Sequence, residues 1–385
     1  MSTAEQHAVA ADVVFDGESA RERHAVVIEG SQILNVMPRR ALPTSMRVDE
    51  MPKGAWLAPG FIDVQVNGGG DVLFNNDPSP EAIATIAAAH RRFGTTALLP
   101  TFISDEPAKM AAAIAAVQHM VGVHPGILGI HLEGPFLSPG KPGVHDPAAL
   151  RRPGASDLDM LTRLRGGVTL VTLAPEEAPP GFVAGLVKAG VRVALGHSIA
   201  TYDETRRAMA DGLTGFTHLF NAMRPLGSRD PGPIAAALDE PDCFYGLIVD
   251  GEHVHPAMLK LALHGVGQPM LVTDAMPPVG GQRGSFTLYG QEITVQDGRC
   301  MRVDGTLAGA ALDMAGAVRN CVRLLGLPLT RALPMASTAP ANFLGLSSRL
   351  GRLAPGFRAD LVAFMPDDID VMATWVAGAR SNLPR

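Results

Sequence analysis

Residues 192–223 read RVALGHSIATYDETRRAMADGLTGFTHLFNAM. Two short apolar runs, Arg192–Gly196 and Gly215–Leu219, have the length and composition of buried strands. Between them, Tyr202–Ala210 carries helical spacing. The stretch is one strand–helix–strand unit, whose crossover makes its strands parallel. The same rhythm extends outward in both directions. Strand runs lie at Leu57–Val66, Thr95–Thr101, Ile127–Leu132, Val168–Leu173, Tyr245–Val249 and Met270–Thr273, and helical segments at Pro80–Phe93, Glu106–Val121 and Pro256–Leu263. Eight such strands are what a closed α/β barrel of the (β/α)8, TIM-like type requires. An open doubly wound sheet would place a GxGxxG phosphate turn and a helix directly after its first strand. Here Asn67-Gly68-Gly69-Gly70-Asp71 follows, without that spacing.

The ends of the chain differ. Val13–Asp16, Ala25–Gly30 and Ile33–Val36 are short β-branched runs broken by turn residues, and after the turn Leu353–Gly356 comes another strand, 359–364. Residues 1–56 and 350–385 are therefore expected to join into a small β-sandwich domain, with 57–349 forming the barrel.

Composition narrows the possibilities. At 46% hydrophobic and 18% charged residues over 385 positions, the chain can bury a large core and is not intrinsically disordered. A net charge of −6 argues against a duplex nucleic-acid partner. Cys243, Cys300 and Cys321 lie far apart and point to a reducing compartment. The opening MSTAEQHAVAADVV lacks signal-peptide features, and the Ala-rich stretch from Met110 to Val123 is too short and polar to span a bilayer. A cytoplasmic protein with no membrane partner is expected.

In a barrel enzyme the chemistry lies at the C-terminal ends of the strands. Those ends carry Asp63, Gln65 and Asn67 on the first strand, Glu133 on the third, His197 on the fifth, His218 on the sixth, Asp250 and His253 on the seventh and Asp274 on the eighth. Two imidazoles and a carboxylate make a common catalytic zinc set that leaves a position open for water. Such a metal lowers the pKa of its water to about 7, and Asp274 is placed to move that water's proton. His90, His119, His124 and His264 fall in helices or connections and read as packing or surface residues. His131 shares the strand face of Glu133, with a supporting or a purely structural role equally open. His255 reads as a helix start, and Glu177 and Glu252 as solvated.

The segments Pro59-Gly60-Phe61-Ile62-Asp63, His131-Leu132-Glu133-Gly134-Pro135-Phe136, Gly196-His197-Ser198, Thr217-His218-Leu219-Phe220-Asn221-Ala222-Met223 and Thr273-Asp274-Ala275-Met276 resemble the N-acetylglucosamine-6-phosphate deacetylases of the amidohydrolase superfamily. The likeness covers essentially the whole chain, and HLEGPF together with THLFNAM is its specific part. It implies one divalent metal ion held by Glu133, His197 and His218, with Zn2+ expected and Fe2+ or Co2+ alternatives. It implies catalytic roles for Asp274 and for His145 at the acetamide carbonyl. It also implies substrate contacts from Gly134, His145, Asn221, Ala222 and His253. Arg229 would reach the phosphate of a sugar-phosphate substrate in a neighbouring subunit, which implies a homodimer.

Two departures sharpen the expectation. Many superfamily members carry His-x-His on the first strand and bind two metals. Gln65 and Asn67 stand at those positions, and neutral amides are poor zinc ligands beside imidazole. A mononuclear site follows. In Lys141-Pro142-Gly143-Val144-His145 a proline stands where a basic residue is common, so Lys141 is given no role. The implied reaction is hydrolysis of the acetamide of N-acetylglucosamine 6-phosphate. Alternatives are the galacto epimer, a cyclic-amide hydrolase, which would usually keep His-x-His and a bridging lysine, and a non-catalytic metal-binding barrel, which the intact Asp274 disfavours.

Overall fold

The computed structural model describes residues 6–381. By its internal contacts the chain falls into two compact units. One comprises the chain up to Asp63, His90–Ala97 and everything from Met314 on; the other comprises Val64–Ala89 and Leu98–Asp313.

In the first unit both termini meet in one eight-stranded mixed sheet. Gln6–Phe15 pairs antiparallel with Ala20–Glu29 and parallel with Arg47–Glu50 and Trp56–Pro59. Leu361–Met365 pairs antiparallel with Trp56–Pro59 and carries Asp370–Val376 on its other side. The two-residue alternation of a strand explains why this sheet is buried on both faces. Val9, Val26 and Ile28 enter one apolar cluster around the fully buried Trp375, while their neighbours Ala8, Ala25 and Val27 enter another.

The barrel strands are β1 (Phe61–Val66), β2 (Thr95–Ile103), β3 (Gly129–Glu133), β4 (Val168–Leu173), β5 (Arg192–Leu195), β6 (Gly215–Phe216), β7 (Phe244–Leu247) and β8 (Gln268–Leu271). They lie side by side in sequence order, and the pairings from β2 to β8 are parallel. An open doubly wound sheet would reverse its order at a switch point; this one closes on itself. Val66 bridges Ala275 in parallel register, and the amides of Asp274 and Asn67 donate to the carbonyls of Gln65 and Ala275 at 3.0 and 2.9 Å. The helices fall where the apolar spacing puts them: Pro80–Arg91, Pro107–Met120, Tyr202–Ala210 and Pro256–Ala262. Tyr202–Ala210 starts from a capping box in which Thr201 and Glu204 bond reciprocally. Among the described residues no helix is long and apolar enough to cross a membrane.

The expected strand Leu57–Val66 is two strands. Trp56–Pro59 belongs to the terminal sheet, and the chain turns at Gly60 into β1. Proline cannot donate to a ladder, and Gly60 lets the backbone pass against Thr96, where an added Cβ would sit 2.1 Å from Oγ1 and 2.3 Å from Cγ2. A further sheet lies outside the βα rhythm of the sequence. Ser285–Leu288, Gln291–Gln296, Arg299–Met301 and Leu307–Ala310 form a four-stranded antiparallel insertion after β8.

Gly60→Ala is expected to lower unfolding stability by about 1–3 kcal/mol through overpacking against the buried Thr96. Adding Thr96→Ala should cost less in that background than in the wild-type chain. Chemical denaturation of the four proteins measures this, and an unchanged midpoint for Gly60→Ala would refute the packing argument.

Candidate metal centre and active site

Glu133 closes β3, and His197, His218 and Asp274 stand just beyond the ends of β5, β6 and β8. His197, His218 and Asp274 have φ of 49°, 32° and 50°, as does Ala222 at 46°. Non-glycine residues in this left-handed region cost about 1–3 kcal/mol each and persist only where surrounding bonds over-determine them. Those bonds are present. The carbonyl of His197 accepts from the Ser138 amide at 2.9 Å, the amide of Leu219 donates to Gly246 at 2.8 Å, and the carbonyl of Asp274 accepts from Ala310 at 2.9 Å.

Glu133, His197 and His218 are 2%, 5% and 4% exposed and offer converging ligand atoms. Glu133 Oε1 lies 3.2 Å from His197 Nε2 and 3.0 Å from His218 Nε2, and the two Nε2 atoms are 3.0 Å apart. A tetrahedral ion with ligands at about 2.0–2.2 Å keeps them about 3.3–3.6 Å apart, close to this spacing. His197 Nδ1 is 2.9 Å from the Lys141 carbonyl, which fixes the proton on Nδ1 and leaves the Nε2 lone pair for a cation. The residues therefore fit a divalent metal. Among the described residues this is the one such cluster.

The electrostatics agree. Burial pushes the Glu133 carboxyl up, but hydrogen bonds and charge from His197 and His218 hold it well below the ordinary range. Burial lowers the proton affinity of His218, and the Glu133 carboxylate more than reverses this, so positive charge is favoured at this point. Asp274 is shifted the other way: burial and the Glu133 charge raise it, against the lowering influence of His218, His253 and Asn67.

Gln65 and Asn67 are donors to this acidic pair. Gln65 Nε2 lies 3.3 Å from Glu133 Oε2 and 3.2 Å from Asp274 Oδ1, and Asn67 Nδ2 lies 2.7 Å from Asp274 Oδ1. His131 bonds Thr172 at 2.7 Å and Thr101 at 3.2 Å, tying β3 to both neighbouring strands, and burial pushes its pKa down to about 4. It stays neutral, and its bonds hold the three strands together.

A cavity of about 240 Å³ opens above the cluster. Glu133, His145, His197, His218, Asn221, Ala222, His253 and Asp274 all line it. His145 is 1% exposed, with its ring edge-on to His197, and His253 is held by Asp250 at 2.6 Å. Gly134 and Arg229 do not line the cavity. Gly134 is buried with its amide given to the Thr172 carbonyl at 3.0 Å, and Arg229 is exposed. Lys141 acts through its carbonyl on His197. His255 caps its helix as expected, and Glu177 and Glu252 are paired with Arg152 and Arg299.

The lining also includes Met276, Thr306, Leu307 and Gly309. Met276 follows β8, and the other three belong to the last strand of the inserted sheet and its approach. Their signal was available. Phe286, Leu288, Ile293 and Val295 alternate along two strands, and Tyr289-Gly290 and Asp297-Gly298 are hairpin dipeptides with positive φ throughout.

The family model described as the amidohydrolase family matches residues 56–382. The chain is 44% identical over 328 residues to an N-acetylgalactosamine-6-phosphate deacetylase of Shewanella sp. (strain ANA-3), covering 84% of this chain and 82% of that one. It is 34% identical over 371 residues to an N-acetylglucosamine-6-phosphate deacetylase of Haemophilus influenzae, covering 95% and 97%. A crystal structure of N-acetylglucosamine-6-phosphate deacetylase from Pasteurella multocida superposes with a TM-score of 0.94 at 34% identity, over 98% of this chain and 99% of that one.

Elemental analysis of the purified protein is expected to find one tightly bound divalent ion per chain, and His218→Ala should reduce that content well below one. Two tightly bound ions per chain would refute the mononuclear reading of Gln65 and Asn67.

Proposed function

Because the chain belongs to the amidohydrolase family, and within it to the amino-sugar phosphate deacetylases, we propose that it hydrolyses N-acetylglucosamine 6-phosphate to glucosamine 6-phosphate and acetate. The observation that carries this reading is the cavity in which the buried Glu133–His197–His218 cluster, the raised carboxyl of Asp274 and the neutral ring of His145 face one another. Glu133, His197 and His218 would hold the divalent ion; we assign zinc, and the same donors would accommodate iron or cobalt. When bound, such an ion supplies Lewis acidity toward a water and an acyl oxygen.

The protein's own groups do the rest. Asp274 takes the proton of the attacking water, a role suited to a carboxyl whose proton affinity burial and Glu133 have raised. Gln65 and Asn67 aim it by donating to Oδ1. His145 donates to the acetamide oxygen as negative charge develops there. Burial and the neighbouring His197 hold its pKa well below the ordinary value, so it acts as a neutral donor. Asp274 then returns the proton to the departing amine. Asn221, the Ala222 backbone and His253 orient the sugar from the cavity wall. Among the described residues no lysine or arginine lines the cavity. A phosphate needs a cation, best a guanidinium, and we assign it to the exposed Arg229 of a second subunit in a homodimer. The buried free thiols of Cys243, Cys300 and Cys321 suit a cytoplasmic enzyme.

The galacto epimer is the second reading, favoured by the 44% identity to the Shewanella enzyme. Parallel turnover assays with both N-acetylhexosamine 6-phosphates decide between them: higher kcat/KM on the gluco epimer is expected, and the reverse order moves the assignment. Asp274→Asn should retain its metal and lose turnover by about 10²–10⁴-fold. Near-normal turnover with metal bound would remove Asp274 from its role.

A further inference from the structure

We propose that Ser104, just beyond the end of β2, is a positioning residue that fixes the tautomer and orientation of His145. The inference rests on the role given to His145 above and explains how the fold prepares that ring for it.

Two donors of Ser104 converge on one ring nitrogen. The Ser104 amide donates to His145 Nδ1 at 3.3 Å, and the Ser104 hydroxyl lies 2.8 Å from the same atom. A backbone N–H can only donate, so Nδ1 carries its lone pair and the neutral ring carries its proton on Nε2. The hydroxyl is then a second donor to Nδ1. With Nδ1 committed to Ser104, the Nε2–H is the remaining donor of a residue that lines the cavity. The opposite tautomer would set two hydrogens against each other at the amide and give the cavity a lone pair, which cannot stabilise an acyl oxygen.

Ser104 is itself fully buried and held from two further sides. Tyr289, between the first two strands of the inserted sheet, donates its hydroxyl to the Ser104 carbonyl at 2.5 Å. Gly134 supplies the space for the serine hydroxyl: a Cβ there would lie 2.2 Å from Ser104 Oγ and 3.0 Å from Leu137 Cδ1. The glycine after the metal-ligating Glu133 thus serves the site by leaving room for a hydroxyl. Its own amide is already given to Thr172. The inserted sheet reaches the same ring through Tyr289, so an element outside the barrel strands sets the donor that faces the acetamide.

The test uses the metal-loaded full chain as wild type, Ser104→Ala, His145→Ala and the double variant, with Tyr289→Phe as a milder substitution. Ser104→Ala is expected to lower kcat about 10–100-fold, the usual cost of removing a group that orients a catalytic one, with KM unchanged. In the His145→Ala background it should have no further effect, because it acts only through that ring. Tyr289→Phe should show a smaller kcat loss that also vanishes in that background. Long-range 1H–15N spectra of ring-labelled histidines should show His145 protonated at Nε2 in wild type, and the same tautomer with a shifted or broadened Nδ1 signal in Ser104→Ala, where the backbone amide still donates to Nδ1 but the hydroxyl is gone. A wild-type kcat for Ser104→Ala, an equal loss in both backgrounds, or a wild-type His145 protonated at Nδ1 would each overturn the proposal. Near-normal turnover by His145→Ala would instead sink the role of His145 in the reaction, and the spectra would still decide whether Ser104 sets its tautomer.

Discussion

The closure of the barrel between β1 and the chain just past β8 is the constraint on which the site depends. Backbone bonds from the amide of Asp274 to Gln65 and from those of Asn67 and Gly68 to Ala275 join the end of the first strand to the chain just past the last. They therefore set Asp274 beside Gln65 and Asn67, residues more than two hundred positions away in sequence. Without closure the Asp274 carboxyl would have neither its amide donors nor its place opposite Glu133. The chemistry is thus a consequence of sheet geometry: parallel strands in sequence order bring all eight C-terminal ends to one rim.

Charge on that rim is balanced by position. Glu133 and Asp274 repel, and the repulsion is divided unequally. Glu133 faces two imidazoles and is held ionised, whereas Asp274 is left with a raised affinity for a proton. Two carboxyls whose surroundings push them apart are the pattern from which acid–base roles are assigned. Gln65 and Asn67 fit this division. Imidazoles at their positions could ligate a second cation, and a second cation would draw Asp274 into permanent ionisation. Neutral amides donate a hydrogen bond to it and bring no charge.

Much of this was legible in the sequence, and the limits were physical. The strand–helix rhythm located the barrel strands, the helices and the three residues that the fold gathers into the Glu133–His197–His218 cluster, because apolar period and strand-end position are local properties. The split of Leu57–Val66 at Gly60 was hidden because the residues on both sides of Gly60 are buried strand and no polar turn stands between them. The inserted sheet has hairpin turns legible in the sequence, but its strands lie outside the βα rhythm that marks the barrel. Ser104 and the Lys141 carbonyl could not be found: a lone serine carries no spacing signal, and a backbone acceptor has no residue identity. Gly134 was readable as part of a motif, yet what requires glycine there is its φ of 82° together with the oxygen of Ser104, thirty positions upstream and invisible to any local pattern.

The backbone at the strand ends shows why the motif residues must be paid for elsewhere in the fold. At positive φ the chain prefers glycine, but glycine has no side chain to ligate a metal or move a proton. His197, His218, Ala222 and Asp274 occupy such positions, at about 1–3 kcal/mol each. Together they cost about 4–12 kcal/mol, as much as the entire net stability of a typical domain, about 5–15 kcal/mol. A loop could not hold four residues in that state. A closed ring of strands can, because its interstrand bonds continue into those residues' own carbonyls and amides: Ser138 onto His197, Ala310 onto Asp274, and Asp274 onto Gln65. The large buried barrel is therefore no idle scaffold around a small site. Its stability is what keeps two imidazoles and a carboxyl in conformations that their own backbones disfavour.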